Sequence, residues 1–206
     1  MDNHLIKSKV QLYGYWGFLR QGIKACIRKI TGLSWNYYYL MQLCLKDEIE
    51  SQIKNGGKIQ KLCQEDFERG DKTYFTPEKL EIYKIWFQKG LEAYGFFVEE
   101  KLVCSAWISY HELILSKEYT CNLPANTALL LDGYCHVDYR KRGFHKYINR
   151  YRLEVLKEKG ISQVFVVVRK NNTPALKTQL TFGFEVCKTF AIYLFGKREI
   201  VTLKLK

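Results

Sequence analysis

The sequence predicts an α/β protein: one globular domain on a central mixed sheet of about seven strands, with helices on both faces. Three observations carry this expectation. With 206 residues, 47% hydrophobic and 26% charged, the chain is long enough to bury one sizeable core. Along its length, short runs rich in β-branched and aromatic residues alternate with stretches of helical periodicity. Residues 132–184 then read as strand, basic turn, helix, strand, helix and closing strand, which is one compact α/β unit.

In chain order, residues 35–45 are aromatic-rich and predict a first strand ended by Lys46 and Asp47. A short helix is expected over 59–69. Thr76 as N-cap and Pro77 at the first helical position start a longer one that runs to Gly90. Residues 94–98 and 102–110 flank the polar Glu99-Glu100-Lys101 as a hairpin, and 127–137 give the next strand after a polar loop around Pro124. A helix opening at Gly143 places Phe144, Tyr147, Ile148, Tyr151, Val155 and Leu156 on one face, and Lys159-Gly160 closes it. Residues 163–168 are all apolar after Gln163, as a strand buried on both faces requires. A second short helix spans 173–181, and 185–194 and 199–205 make a last hairpin around 195–198.

The most informative stretch is Asp132-Gly133-Tyr134-Cys135-His136-Val137-Asp138-Tyr139-Arg140-Lys141-Arg142-Gly143-Phe144-His145. It ends a strand and opens a helix through basic and glycine residues. The first N–H groups of a helix have no intrahelical partner and carry partial positive charge, so such a turn can hold a pyrophosphate, with Arg140 and Arg142 adding charge. The order Asp132-x-Tyr134, Tyr139-Arg140-x-x-Gly143, Asn172-x-x-Ala175 and Phe182-Gly183-Phe184 resembles the GNAT superfamily of acyl-CoA-dependent N-acetyltransferases. The resemblance covers 132–184 strongly and 35–131 through strand order alone. It implies a mostly antiparallel GNAT-like sheet and a single acyltransferase domain over 35–206, with 1–34 as a basic amphipathic extension.

The resemblance further implies acetyl-CoA as co-substrate, no metal, and an amine-bearing acceptor that attacks the thioester in a ternary complex. The cofactor would lie against Cys135, Val137, Arg140, Lys141, Arg142, Gly143, Phe144, His145 and Asn172, with backbone amides on the thioester oxygen and pantetheine arm. Asp132 matches the position of a carboxylate that deprotonates the amine, directly or through water; a carboxylate binding a loop is the structural alternative. His136 is a second base candidate, although alternation along a strand keeps Cys135 and His136 from facing the same site. Cys135 could also accept an acyl group, or be a small buried hydrophobe. Tyr134, His111 and Glu112 are candidate acceptor contacts, with an exposed strand end the alternative for the last two. The chain departs from the family pattern twice. His145 replaces a small residue of the turn, and Gln179 stands where many members carry a tyrosine that protonates the leaving thiolate. A thiol titrates near about 8.5, so the thiolate can leave without full protonation.

Charge is unevenly spread over the net +12: residues 1–34 carry +5, 35–137 carry −4 and 138–206 carry +11. The cationic excess lies in the half assigned to coenzyme phosphates, and the acidic middle suits an amine acceptor. Seven cysteines without a C-x-x-C pair argue for reduced thiols in a cytoplasmic protein, and neither a membrane-spanning run nor a signal-peptide core is read from the sequence. Residues 13–31 put Trp16, Leu19, Ile23, Ile27 and Ile30 on one helical face and Arg20, Lys24 and Arg28 on another. This helix could touch the inner face of an anionic membrane, pack on the domain, or join a homodimer; Gly14, Gly17 and Gly22 weaken it in isolation. The alternatives to catalysis are a silent acyl-CoA binder and a basic-surface protein for membrane or nucleic acid, with nucleic acid the least favoured partner.

Overall fold

The computed structural model describes residues 15–16, 19–20, 22–23, 25–45, 58–116, 118–196 and 198–203. After a helical N-terminal segment, of which 25–31 is the longest described stretch, the elements are β1 (Leu33–Cys44), β2 (Lys58–Lys61), α1 (Gln64–Glu68), α2 (Pro77–Gln88), β3 (Glu92–Val98), β4 (Lys101–Ser109), β5 (Glu112–Ile114), β6 (Thr120–Asn122), β7 (Thr127–Cys135), α3 (Phe144–Glu158), β8 (Gln163–Arg169), α4 (Thr173–Thr181), β9 (Glu185–Phe195) and β10 (Arg198–Val201). Eight of these strands belong to a mostly antiparallel sheet, and β5 and β6 make a separate ribbon. The expected termination at Lys46-Asp47 lies outside the described residues.

The chain divides into two compact units. In the unit holding most of the chain ends, strands run in the order β10-β9-β1-β8. There β1 pairs antiparallel with β9 from Leu33↔Phe195 to Gln42↔Glu185, with a register shift at Leu40/Met41, and Tyr38 stacks on Phe190 at 5.4 Å.

The second unit, residues 44–113 and 122–164, has the strand order β7-β4-β3-β2. Residues 59–69 do not form the single short helix expected from the sequence. Lys58-Ile-Gln-Lys61 pairs along Lys58↔Phe97 to Lys61↔Tyr94 as an edge strand, and only Gln64–Glu68 is helical, started where Asp66 accepts from the Cys63 N–H at 2.9 Å. Lysines at both ends suit a short edge, since charge there discourages pairing with another chain. The β3–β4 hairpin turns through Glu99 and Glu100, both left-handed (φ 47° and 61°) without a glycine. That conformation matches the twist of paired strands, which is why two-residue turns adopt it.

Aromatic packing forms the core of this unit. Phe67, Trp107 and Tyr83 are fully buried; Phe67 stacks on Trp107 at 5.4 Å with planes 9° apart, and Tyr83 lies 4.8 Å from Trp107. Because Phe67 comes from the one-turn α1 and Trp107 from β4, this stack fixes a helix too short to be stable alone. Phe67→Ala is expected to cost about 3–5 kcal/mol, read as a lowered midpoint in chemical denaturation; a loss below about 1 kcal/mol would show that α1 is held otherwise.

Candidate functional site

The strand β7 stops at Cys135, two residues before the expected end, because Val137 opens a single 3-10 turn over Val137–Tyr139. Lys141 (φ 66°) and Gly143 (φ 83°) then reverse the chain, and α3 starts on Gly143 without a side-chain cap. Lys146 and Tyr147 return their N–H groups to the Gly143 carbonyl at 2.8 and 3.1 Å, so the Phe144 and His145 amides point out of the helix end. Only glycine takes φ 83° without strain, which fixes the aim of these amides. The Arg140 side chain folds back, donating from Nε to the Cys135 carbonyl at 3.1 Å, while Lys141 and Arg142 are exposed. Phe144 is committed to packing, stacked 4.7 Å from Phe96.

Between β4 and β7, Ser105 pairs with Tyr134 but Trp107 with Leu131, so β7 carries one residue more than β4. Asp132 sits in this bulge with φ 43°. The bulge gives β7 two distinct faces. Asp132, Tyr134 and His136 meet α2 and the segment after α1. Tyr74 donates to Asp132 Oδ1 at 3.0 Å, Tyr83 donates to Oδ2, and Lys79 Nζ lies 3.4 Å from Oδ1 and 3.5 Å above the Tyr74 ring. Burial pushes both tyrosine hydroxyls well up, so they stay donors; it lowers the Lys79 ammonium, against the opposing pull of Asp132. Tyr134 donates to Asp71 Oδ2 at 2.7 Å and stacks on Tyr74 at 4.0 Å. Burial raises the Asp71 carboxyl, but hydrogen bonds from Thr73 and Tyr134 outweigh it and hold it below its ordinary range. His136 places Nε2 3.8 Å from Asp71, and its Nδ1 accepts from the Asp138 N–H at 3.3 Å. His136 and Asp71 also line a cleft of about 980 Å³ with Lys58, Arg69, Glu100 and Lys101.

On the opposite face, a side-chain carbon added to Gly133 would stand 2.6 Å from His145 Nε2. The imidazole thus turns under β7, away from the amides of the turn. Burial, then the neighbouring Arg152 charge, push His145 down to about 4. Arg152 is itself buried: it donates to the Trp107 carbonyl at 2.7 Å and to Asn149 Oδ1, and burial lowers it to about 9. Cys104 and Cys135 face each other across the β4–β7 ladder, where a hydrogen bond from Cys104 raises its own thiol and lowers that of Cys135.

No protein-family model and no curated protein matches this chain. Solved structures match its architecture. A Staphylococcus epidermidis ATCC 12228 protein of unknown function superposes with TM-score 0.54 at 16% identity over 82% of this chain and 65% of its own, so this chain spans just under two thirds of it. An N-acetyltransferase from Staphylococcus aureus Mu50 gives 0.50 at 13% identity, over 65% of this chain and 86% of its own. A Novosphingobium aromaticivorans DSM 12444 protein assigned to the GNAT acetyltransferases gives 0.50 at 14%, over 84% and 79%. The fold is that of the GNAT acetyltransferases.

Within the GNAT fold, the remaining candidates separate. Asn172 belongs to the other compact unit, where its side chain caps α4 by accepting from the Ala175 N–H at 3.3 Å. Gln179 is buried in the same helix. His111 is exposed; Glu112, on β5, is paired by Lys89 at 3.0 Å. Val137 is buried, so only its backbone can serve a ligand. Among the described residues, no group of His, Cys, Asp and Glu is placed to hold a metal. Asp71, Tyr74, Lys79 and Tyr83 escaped the sequence reading, because each reaches the β7 face from more than 40 positions away.

The His145 environment has a pH signature. A folded value near 4 against about 6.5 unfolded means stability is complete above pH 6.5 and falls as pH drops from there toward 4. His145→Gln is expected to flatten the thermal-melting dependence in that window; an unchanged slope would place the imidazole in water. Gly133→Ala is expected to cost about 1–3 kcal/mol, and less in a His145→Ala background.

Proposed function

We propose that this chain is an acyl-CoA-dependent N-acetyltransferase that passes the acetyl group of acetyl-CoA to a primary amine in a ternary complex. The observation that carries the reading is the pairing, on one strand and its following turn, of an uncapped helix start aimed by Gly143 with a carboxylate three residues before the strand end. In this reading the amides of Phe144 and His145, with Lys141 and Arg142, take the coenzyme pyrophosphate. The thioester is already activated, so the protein has to orient the amine and accept its proton. Asp132 accepts that proton, directly or through an ordered water. Tyr74 and Tyr83 hold its carboxylate, and Lys79 Nζ takes the cation position beside it. Lys79 supports an alkylammonium acceptor: its own Nζ rests 3.4 Å from Asp132 and 3.5 Å above an aromatic face, the setting such a group seeks. With both His136 nitrogens directed at Asp71 and Asp138, His136 takes the role of positioning Asp71 in the cleft that the two residues line.

A silent acyl-CoA binder is the second reading, and Gln179 favours it, since an amide cannot protonate a thiolate. Thiol release with an amine panel separates the two, because only the enzyme liberates coenzyme A. Asp132→Asn is expected to lower kcat by about 10²–10⁴ with KM for acetyl-CoA kept; an unchanged kcat removes Asp132 as base. Gly143→Val is expected to abolish acetyl-CoA binding. The cause is conformational, since the nearest atom to an added carbon is Tyr147 Cε2 at 3.5 Å, whereas φ 83° is closed to valine. Retained affinity would move the phosphate site elsewhere.

A further inference from the structure

We propose that the N-terminal helix docks this protein on an anionic lipid surface. The described residues 15–16, 19–20, 22–23 and 25–31 are helical. At 100° per residue, Trp16, Leu19, Ile23, Ile27 and Ile30 fall on one stripe. Four of the five face solvent, Trp16 at 82% exposed, Ile30 84%, Ile23 63% and Leu19 42%, with Tyr15 beside them at 67%, while Ile27 is half-buried. Single exposed apolar side chains are ordinary, but a continuous stripe of them marks a surface that is covered in use.

Charge decides what covers it. Arg20 borders the stripe, Arg28 and Lys29 lie on the polar face away from it, and residues 3–34 contain no acid. A second copy applied through this face would set cation against cation with no carboxylate on the segment to pair them. A bilayer bearing anionic headgroups satisfies both features together: the apolar stripe enters the acyl boundary, the rings of Trp16 and Tyr15 sit at the interface, and the basic side chains reach the headgroups. No described helix is long and apolar enough to cross a membrane, so the mode is lying on the surface. The docking does not rest on the proposed acetyltransferase activity.

The test is sedimentation of the full chain with vesicles of phosphatidylcholine alone and of phosphatidylcholine with phosphatidylglycerol, at low and moderate salt. The proposal expects association with the anionic vesicles only, weakened by salt, and a blue shift of tryptophan emission that is lost in Trp16→Phe. Ile23→Glu should abolish association while leaving the melting temperature unchanged. Arg20→Gln and Arg28→Gln should each weaken it by about fivefold. Three results would overturn the proposal: no association with either vesicle, association undiminished in Ile23→Glu, or a dimer in light scattering that Ile23→Glu dissolves and vesicles do not compete for.

Discussion

Ladder hydrogen bonding between β4 and β7 is broken once, where Asp132 and Gly133 together oppose Ala106, and the candidate site takes its geometry from that interruption. A bulge bends its strand and re-aims the side chains that follow. Here it holds Asp132 in a left-handed conformation, a strain of the order of 1–3 kcal/mol for a non-glycine residue. The contacts that oppose this strain are the ones that define the site. Tyr74, Tyr83 and Lys79 bind the carboxylate from one side, and Arg152 takes the Trp107 carbonyl from the other. Gly133, the second bulged residue, lets His145 approach to a distance that a side chain would forbid.

Arg152 illustrates how the fold tolerates an expensive group. Burying a guanidinium costs free energy unless its donors are paired, and here two of them meet the Trp107 carbonyl and Asn149 Oδ1 while Nε finds no partner among the described residues. Burial is what lowers the cation. Burial first, and then the positive field of Arg152, keep His145 neutral. The same α3 therefore presents amides at its first turn and a buried charge two turns along.

What the sequence disclosed and what it concealed divide along contact range. The turn around Gly143 was legible because it is local: a glycine, flanking basic residues and a helix period occupy one continuous stretch. Helix 173–181 and the Glu99-Glu100 turn were readable for the same reason, through Asn172 and Pro174 in one case and paired polar residues in the other. The face of α3 was misread. Its buried positions include Asn149 and Arg152 beside Ile148, Leu153 and Leu156, whereas Tyr151 and Val155 are only half-buried. An apolar periodicity cannot anticipate a polar pair that serves a broken ladder. Likewise β2 hides in Lys-Ile-Gln-Lys, too polar to signal a strand until β3 offers it an edge. The donors around Asp132 come from a loop and from a helix whose own pattern gives no reason to single out Lys79 or Tyr83.

The decisive measurement is titration of the purified protein with acetyl-CoA by calorimetry. Saturable one-to-one binding that persists from low to moderate salt is expected, because fixed amides at the start of α3 hold the pyrophosphate and are screened less than mobile surface charges. Absence of heat, or heat that disappears as salt rises, would contradict it and reduce the turn to a basic helix cap.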